Sequence, residues 1–345
     1  MQKTVVKFLA TAALSVLVSL VANTTVQAAD AATAGWVKAN HATATAASNS
    51  AAANTGNAIV PFTLPSKMTR RPSVVDSPAA VDWSQVENGN CLVVRAGWGF
   101  RACAKGDPNG YWNVGLIGDS HMRQYFAPLD VLAKRYHWKI TYISKSACTV
   151  ADWQLFPKNR AEPSCWDWNK HLGEYFASHE KFDLVINSNS AFVSVADPKM
   201  ADAYRATVQS QIERGTQWMV ISDNPKPAQN FVSCIAAHGK KAQQDCALPY
   251  SKAMVPVDVL PAAVQSIPGV HVADFRKDFC PNLCPPIING VVVYRDFSHL
   301  SSNFVKTMLP QIDAAIPAQF KAKPVETSWF PPTMSVGELV PGLSS

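Results

Sequence analysis

Charged residues are scarce in this 345-residue chain, at 16% against about 25% in average soluble proteins. With 48% hydrophobic residues, that shortage excludes a disordered polyelectrolyte. The net charge of +6 lacks the concentration into a patch that nucleic-acid binding needs. There is no internal repeat and no collagen-like glycine period. After the first 30 residues no apolar run is long enough to cross a bilayer. Recognised metal-ligand spacings are missing too, so no metal or other cofactor is expected. What remains is a globular chain with room for one large domain or two small ones.

Residues 1–28 read as a signal peptide. Lys3 and Lys7 are the only charges before Asp30, an apolar core runs from about Phe8 to Val21, and Val26-Gln27-Ala28 offers small residues for cleavage. An uncleaved anchor is the rival reading, but Asn23, Thr24 and Thr25 break the apolar stretch. The expected location is therefore periplasmic or secreted. Residues 29–58, rich in Ala, Thr, Ser and Asn, cannot bury enough surface to offset chain entropy and are expected to be a flexible tether. Residues 59–110 are punctuated by Pro and Gly and are expected to form a disulfide-stapled lobe on the main domain. Within it, Cys91–Val94 and Gly99–Cys103 could pair as a hairpin. The main domain is expected over 111–318, with a Pro-rich tail over 319–345.

The eight cysteines are even in number, which suits disulfides in an exported chain. Their clustering favours neighbours: Cys91 with Cys103, Cys148 with Cys165, Cys234 with Cys246, and Cys280 with Cys284. Loops of that size are stabilised by on the order of 2–3 kcal/mol in chain-entropy terms. A four-thiolate zinc site from Cys234, Cys246, Cys280 and Cys284 is the rival, and its spacings do not match paired zinc knuckles.

Between Trp112 and Ile316 short apolar runs alternate with segments of helical period. Strands are expected at Val114–Ile117, Lys139–Ile143, Asp183–Ile186, Trp218–Ser222 and Val270–Val272. Helices are expected at Met122–Tyr136, Trp168–Ser178, Met200–Arg214, Val257–Gln265 and Asn303–Ile316. The alternation implies an α/β fold, a three-layer sandwich with a mainly parallel central sheet. Ligands bind such sheets beyond the carboxyl ends of the strands.

Gly118-Asp119-Ser120-His121 stands directly after the first of these strands and directly before a helix. A serine there is lifted out of the sheet at the positive end of the helix dipole. The bland alternative is that Ser120 or Asp119 only caps the helix. Near the domain's end comes Tyr294-Arg295-Asp296-Phe297-Ser298-His299-Leu300. Three residues apart, Asp296 and His299 can meet within one turn, fixing the imidazole's tautomer and leaving its other nitrogen to take a proton from Ser120. Either motif alone is common; the combination is rare. His121 could assist, although a local structural contact is its plainer role.

These residues resemble the SGNH (GDSL-like) hydrolase superfamily. They resemble more closely the SGNH domains at the periplasmic end of type 3 membrane acyltransferases, which O-acetylate bacterial cell-envelope glycans. The resemblance spans about Cys91 to Ile316. It rests on the Gly-Asp-Ser-His start, on Cys148 after the second strand, on Cys280-x-x-x-Cys284-Pro-Pro-Ile-Ile-Asn-Gly and on Tyr-Arg-Asp-x-x-His-Leu-Ser.

The resemblance implies a flavodoxin-like topology and a serine carbohydrate O-acyltransferase or O-acetylesterase working through an acyl-serine. Ser120, Asp296 and His299 would be catalytic. In that superfamily a glycine after the second strand and an asparagine after the third complete the oxyanion hole. Asn189 is the match here, with Asn187 in reserve. No glycine occurs in Ser144-Lys145-Ser146-Ala147-Cys148, so the backbone N–H of Ser146 or Ala147 would have to donate beside that of Ser120. Substrate contacts are expected from Trp166 and Trp168, with Trp153 nearby, as a stacking platform, and from Arg123. The partner is an acylated or acceptor carbohydrate; transfer would also need a separate membrane acyl donor. Two other classes remain: a catalytically weak glycan-binding protein on this scaffold, and a metallo-phosphoesterase using Asp119, His121, Asp296 and His299.

Overall fold

The computed structural model describes residues 91–324, except 95–96, 157–162, 192–197, 228 and 254–257. The expected signal peptide, tether, first part of the lobe and most of the tail lie outside the described residues. Seven strands form one sheet: β1 (Leu92–Val93), β2 (Cys103–Gly106), β3 (Trp112–Gly118), β4 (Trp138–Lys145), β5 (Leu184–Ser188), β6 (Gln217–Ile221) and β7 (Val270–Ala273). Neighbours run β1–β4–β3–β5–β6–β7, and β2 also pairs with β4. Only the β2–β4 pairing is antiparallel. Counted from β3, the parallel core has the order 2-1-3-4-5, which is the flavodoxin-like arrangement.

Strands covered on both faces read as continuous apolar runs, and these do. Successive side chains alternate between two cores. Leu116, Ile140, Ile186 and Met219 pack on one face, while Ile117, Ile143, Val185 and Val220 pack on the other. Helices α1 (Ser120–Gln124) and α2 (Phe126–Tyr136) cover the first face together with α7 (Ser302–Thr307) and α8 (Leu309–Ala315). Helices α3 (Pro163–Ser178), α4 (Pro198–Glu213) and α6 (Val259–Val264) cover the second. Helix α5 (Phe231–His238) is an addition that the sequence pattern did not announce, started by Asn230, whose side chain accepts from the N–H groups of Val232 and Ser233.

The expected hairpin at the amino end does not form. Strands β1 and β2 both lie on β4, with β1 parallel at Ser144–Lys145 and β2 antiparallel at Tyr142–Lys139. The Cys91–Cys103 disulfide joins the two, with Cα atoms 5.8 Å apart. The fully buried Lys145 ammonium donates to the carbonyls of Val94 and Gly97. Two expected continuous helices are each divided. Pro128 and Pro310 have no N–H to reach back one turn, and the breaks fall just before them, at Tyr125 and Met308.

All four expected disulfides are present, with Cα separations of 5.8, 5.3, 5.9 and 4.2 Å in chain order. No cysteine is free among the described residues, which removes the thiolate zinc reading. Among the same residues no helix is long and apolar enough to cross a membrane.

Candidate active site

Strand β3 lies between β4 and β5, where the strand order reverses, and loops diverge there to leave a crevice beyond its carboxyl end. Gly118 closes the strand with no room for a side chain. A Cβ there would sit 2.1 Å from the Ser188 carbonyl oxygen and 2.8 Å from the Met122 Cβ. Asp119 then caps α1, its carboxylate accepting from His121 N–H at 2.8 Å and from Ser190 N–H at 3.0 Å. Asp119 is thus the cap of the helix, and the Ser120 hydroxyl has another partner.

That partner is His299, whose Nε2 stands 2.8 Å from Ser120 Oγ. The Nδ1 of His299 stands 2.9 Å from Asp296 Oδ2 and 3.1 Å from Oδ1. Asp296 Oδ1 also accepts the N–H groups of Ser298 and His299, each at 2.8 Å. The turn is closed by Arg295 N–H donating to the His299 carbonyl at 3.0 Å and by bridge pairing of Tyr294 with Leu300. The Asp-x-x-His spacing therefore acts within one tight turn, as expected.

This turn is fastened to the nucleophile's helix by residues that the sequence did not single out. Gln124, one turn after Ser120, accepts from Leu300 N–H at 2.9 Å through Oε1 and donates to Asn224 Oδ1 at 2.7 Å. Asn224, just after β6, donates to the Ser298 carbonyl at 2.7 Å. All three contacts connect distant parts of the chain, and no spacing rule could have found them.

Burial disfavours charge on the Asp296 carboxyl, but the hydrogen bond and charge of His299 and the two backbone donors outweigh it and hold the group well below the usual carboxylate range. Burial lowers the His299 imidazole below its ordinary value; Asp296 works against that and the charge of His121 works with it. A neutral imidazole beside a hydroxyl is ready to accept its proton.

The segment after β4 supplies a possible anion cradle. Ala147 has a left-handed backbone, φ +57°, where the resemblance leads one to look for glycine. Ser146 N–H is committed to the Val93 carbonyl at 3.0 Å. The N–H groups of Ser120 and Ala147 have no hydrogen-bond partner among the described residues. Asn189 is buried beneath this segment, with Nδ2 donating to the Cys148 carbonyl at 3.2 Å and Oδ1 accepting from Asn187 at 3.0 Å. Its second Nδ2 hydrogen has no partner among the described residues. Asn187 donates to the Ile117 carbonyl at 2.7 Å and accepts from Tyr204 at 2.9 Å, so it ties strands together.

The expected tryptophan platform loses one of its members. Trp168 is fully buried in the core under the second face, because helical period puts it on the inward side of α3. Trp166 is partly buried and meets Trp153 edge-on at 5.5 Å. Arg123 lies half-buried on α1, and Arg295 pairs with Asp296 at 3.2 Å. A large aromatic exposed next to the site is Phe297, 56% accessible, between Asp296 and Ser298, with Lys226 Nζ 4.9 Å over its ring. No cluster of metal-ligating side chains occurs among the described residues.

Comparison with known proteins agrees with this architecture. The family model described as the SGNH domain (fused to AT3 domains) matches residues 89–314. The periplasmic domain of a lipopolysaccharide acetyltransferase from Salmonella ser. Paratyphi A superposes with a TM-score of 0.52 at 16% identity, over 70% of this chain and 97% of that one. A mutant of an acetyl-xylooligosaccharide esterase from Geobacillus gives a TM-score of 0.36 at 10% identity, over 62% of this chain and 98% of that one. No curated protein sequence matches.

Proposed function

The chain belongs to the SGNH domain family, and from that premise we propose that it is an extracytoplasmic serine enzyme that moves O-acyl groups, chiefly acetyl, on a carbohydrate. The family assignment supports acyl-group hydrolase or transferase activity, and the four disulfides suit an oxidising compartment. The observation that carries the reading is the continuous line from Ser120 Oγ through His299 to Asp296, at 2.8 and 2.9 Å.

In the proposed reaction His299 Nε2 takes the Ser120 proton as Oγ attacks the ester carbonyl, and Asp296 stabilises the imidazolium that forms. The N–H groups of Ser120 and Ala147, with the remaining amide hydrogen of Asn189, would bind the oxyanion. Loss of one such donor typically costs about 10²–10³ in rate. Collapse of the tetrahedral adduct breaks the ester bond, and the departing sugar oxygen takes the proton from His299. Water or a second sugar hydroxyl, deprotonated by His299, then attacks the acyl-serine. Water gives an esterase; a hydroxyl gives a transferase supplied by a separate membrane acyl donor.

The test uses p-nitrophenyl acetate. Ser120→Ala and His299→Ala should each lower kcat by about 10³-fold or more, and the double variant should be no worse than either. An acetyl adduct on Ser120 should be visible by mass spectrometry. Turnover indifferent to Ser120→Ala would end the enzyme reading and leave glycan binding. For the sugar, Phe297 replaces the buried Trp168 as the stacking surface. Phe297→Ala should raise KM for an acetylated oligosaccharide several-fold with little change in kcat, and an unchanged KM would remove that contact.

A further inference from the structure

Beside the Ser120–His299–Asp296 line lies a second histidine–aspartate pair that the proposed reaction leaves unused. His121 is 3% exposed, and its Nδ1 stands 2.5 Å from Asp223 Oδ1. Asp223 follows β6 and is buried too; it also accepts the N–H groups of Ala191 at 2.7 Å and Asn224 at 2.9 Å. The rings of His121 and His299 are 4.8 Å apart between centroids, tilted by 46°. Capping does not account for this placement, because Asp119 holds the backbone N–H of His121 and not its ring.

We propose that His121, held by Asp223, is a fixed imidazolium set beside His299, and that it is a positioning residue that sets the pH range in which His299 can act as base. The inference rests on the assignment of His299 as the base. The groups facing His121 come from every neighbouring segment. Asp223 approaches from the end of β6, Asp119 from its own turn, and Asp296 with His299 from the closing loop. Behind Asp223 stands Asp258, the cap of α6, whose Oδ2 accepts Asp223 N–H at 2.8 Å. Behind Asp296 stands Arg295.

Burial opposes charge on His121, but Asp223, by its charge and hydrogen bond, and then Asp119 and Asp296 lift the imidazole to about 9. The ring is therefore a cation through the neutral range. A cation beside His299 disfavours a second proton on that imidazole. For charges about 5 Å apart at an effective dielectric between protein surface and water, the imidazolium alone would shift His299 by roughly one pH unit, and the opposite charge of Asp223 leaves a shift of up to about that size. His299 thus stays neutral into mildly acidic conditions. The accompanying loss of basicity is offset on its other side by Asp296, which favours the imidazolium once the serine proton arrives.

His121→Gln keeps an amide that can bond Asp223 and removes the charge. The acid limb of kcat/KM for p-nitrophenyl acetate should move up, by as much as about one pH unit, and Asp223→Asn, which removes the support for the His121 charge, should move it the same way. A purely structural role would lower activity or stability without moving the limb, so an unmoved limb in a folded His121→Gln enzyme overturns the proposal. A second measurement needs no turnover: histidine-selective NMR titration of Ser120→Ala should show His121 protonated and His299 neutral at pH 7. A neutral His121 there also overturns it. Absence of Ser120-dependent turnover in the wild type would sink the enzyme reading instead, and the titration would still decide the charge state of the pair.

Discussion

Ala147 occupies a left-handed backbone conformation at φ +57° that costs an L-residue about 1–2 kcal/mol. The conformation points toward its use: it frees the Ala147 N–H while the neighbouring Ser146 N–H closes onto Val93. Glycine would relieve the strain but adds about 0.5–1 kcal/mol of unfolded-chain entropy to be lost on folding. Ala147→Gly should therefore raise stability by up to about 1 kcal/mol in urea melts and retain kcat. Ala147→Val should lower both, since a branched side chain fits this region worst. A destabilised glycine variant would show that the strain is not real. Gly118 is the opposite case: the backbone of β5 fills the space that a side chain would need.

At the scale of elements, the site is an agreement between α1, the end of β6 and the turn before α7. The Gln124–Asn224 bracket makes that agreement with hydrogen bonds of 2.7–2.9 Å. Buried groups left without partners cost about 1–3 kcal/mol each. Gln124→Ala should destabilise by that order and lower kcat more than it changes KM, because the turn holding His299 loses its register to Ser120. Steady-state kinetics with a parallel thermal melt separates the two effects; a full kcat in a destabilised variant would make the bracket structural only. The element boundaries follow local chemistry. Proline divides both long helices where its missing N–H falls, whereas α5 was invisible because eight residues with an Asn cap carry too little period.

For the whole molecule, the decisive contact joins residues 179 apart in sequence, Ser120 and His299. The parallel topology brings them to one end of the sheet, where the Cys148–Cys165 disulfide secures a loop. Cys148–Cys165 ties the cradle segment after β4 to the first turn of α3. Replacing both cysteines with serine should cost about 2–4 kcal/mol in denaturant unfolding. It should also reduce kcat at temperatures where the fold persists, since Ala147 adjoins the released bond; unchanged kcat would mean that β4 positions the cradle unaided.

The sequence by itself determined the alternation of strand and helix, the serine at a strand-to-helix turn and the Asp-x-x-His spacing, and it favoured the neighbour pairing of cysteines that the fold then fixed. Each of these is local, written in periodicity, proximity or turn chemistry over a few residues. It also misled where only facing matters, placing Trp168 at a rim and β1 with β2 in a hairpin. Tertiary structure alone decided which apolar rings turn inward, which edge of β4 takes the first strands, and how Gln124, Asn224, His121 and Asp223 surround His299. Those outcomes depend on contacts between separate segments of the chain, and nothing in the spacing of residues along one segment encodes which partner closes on it from another.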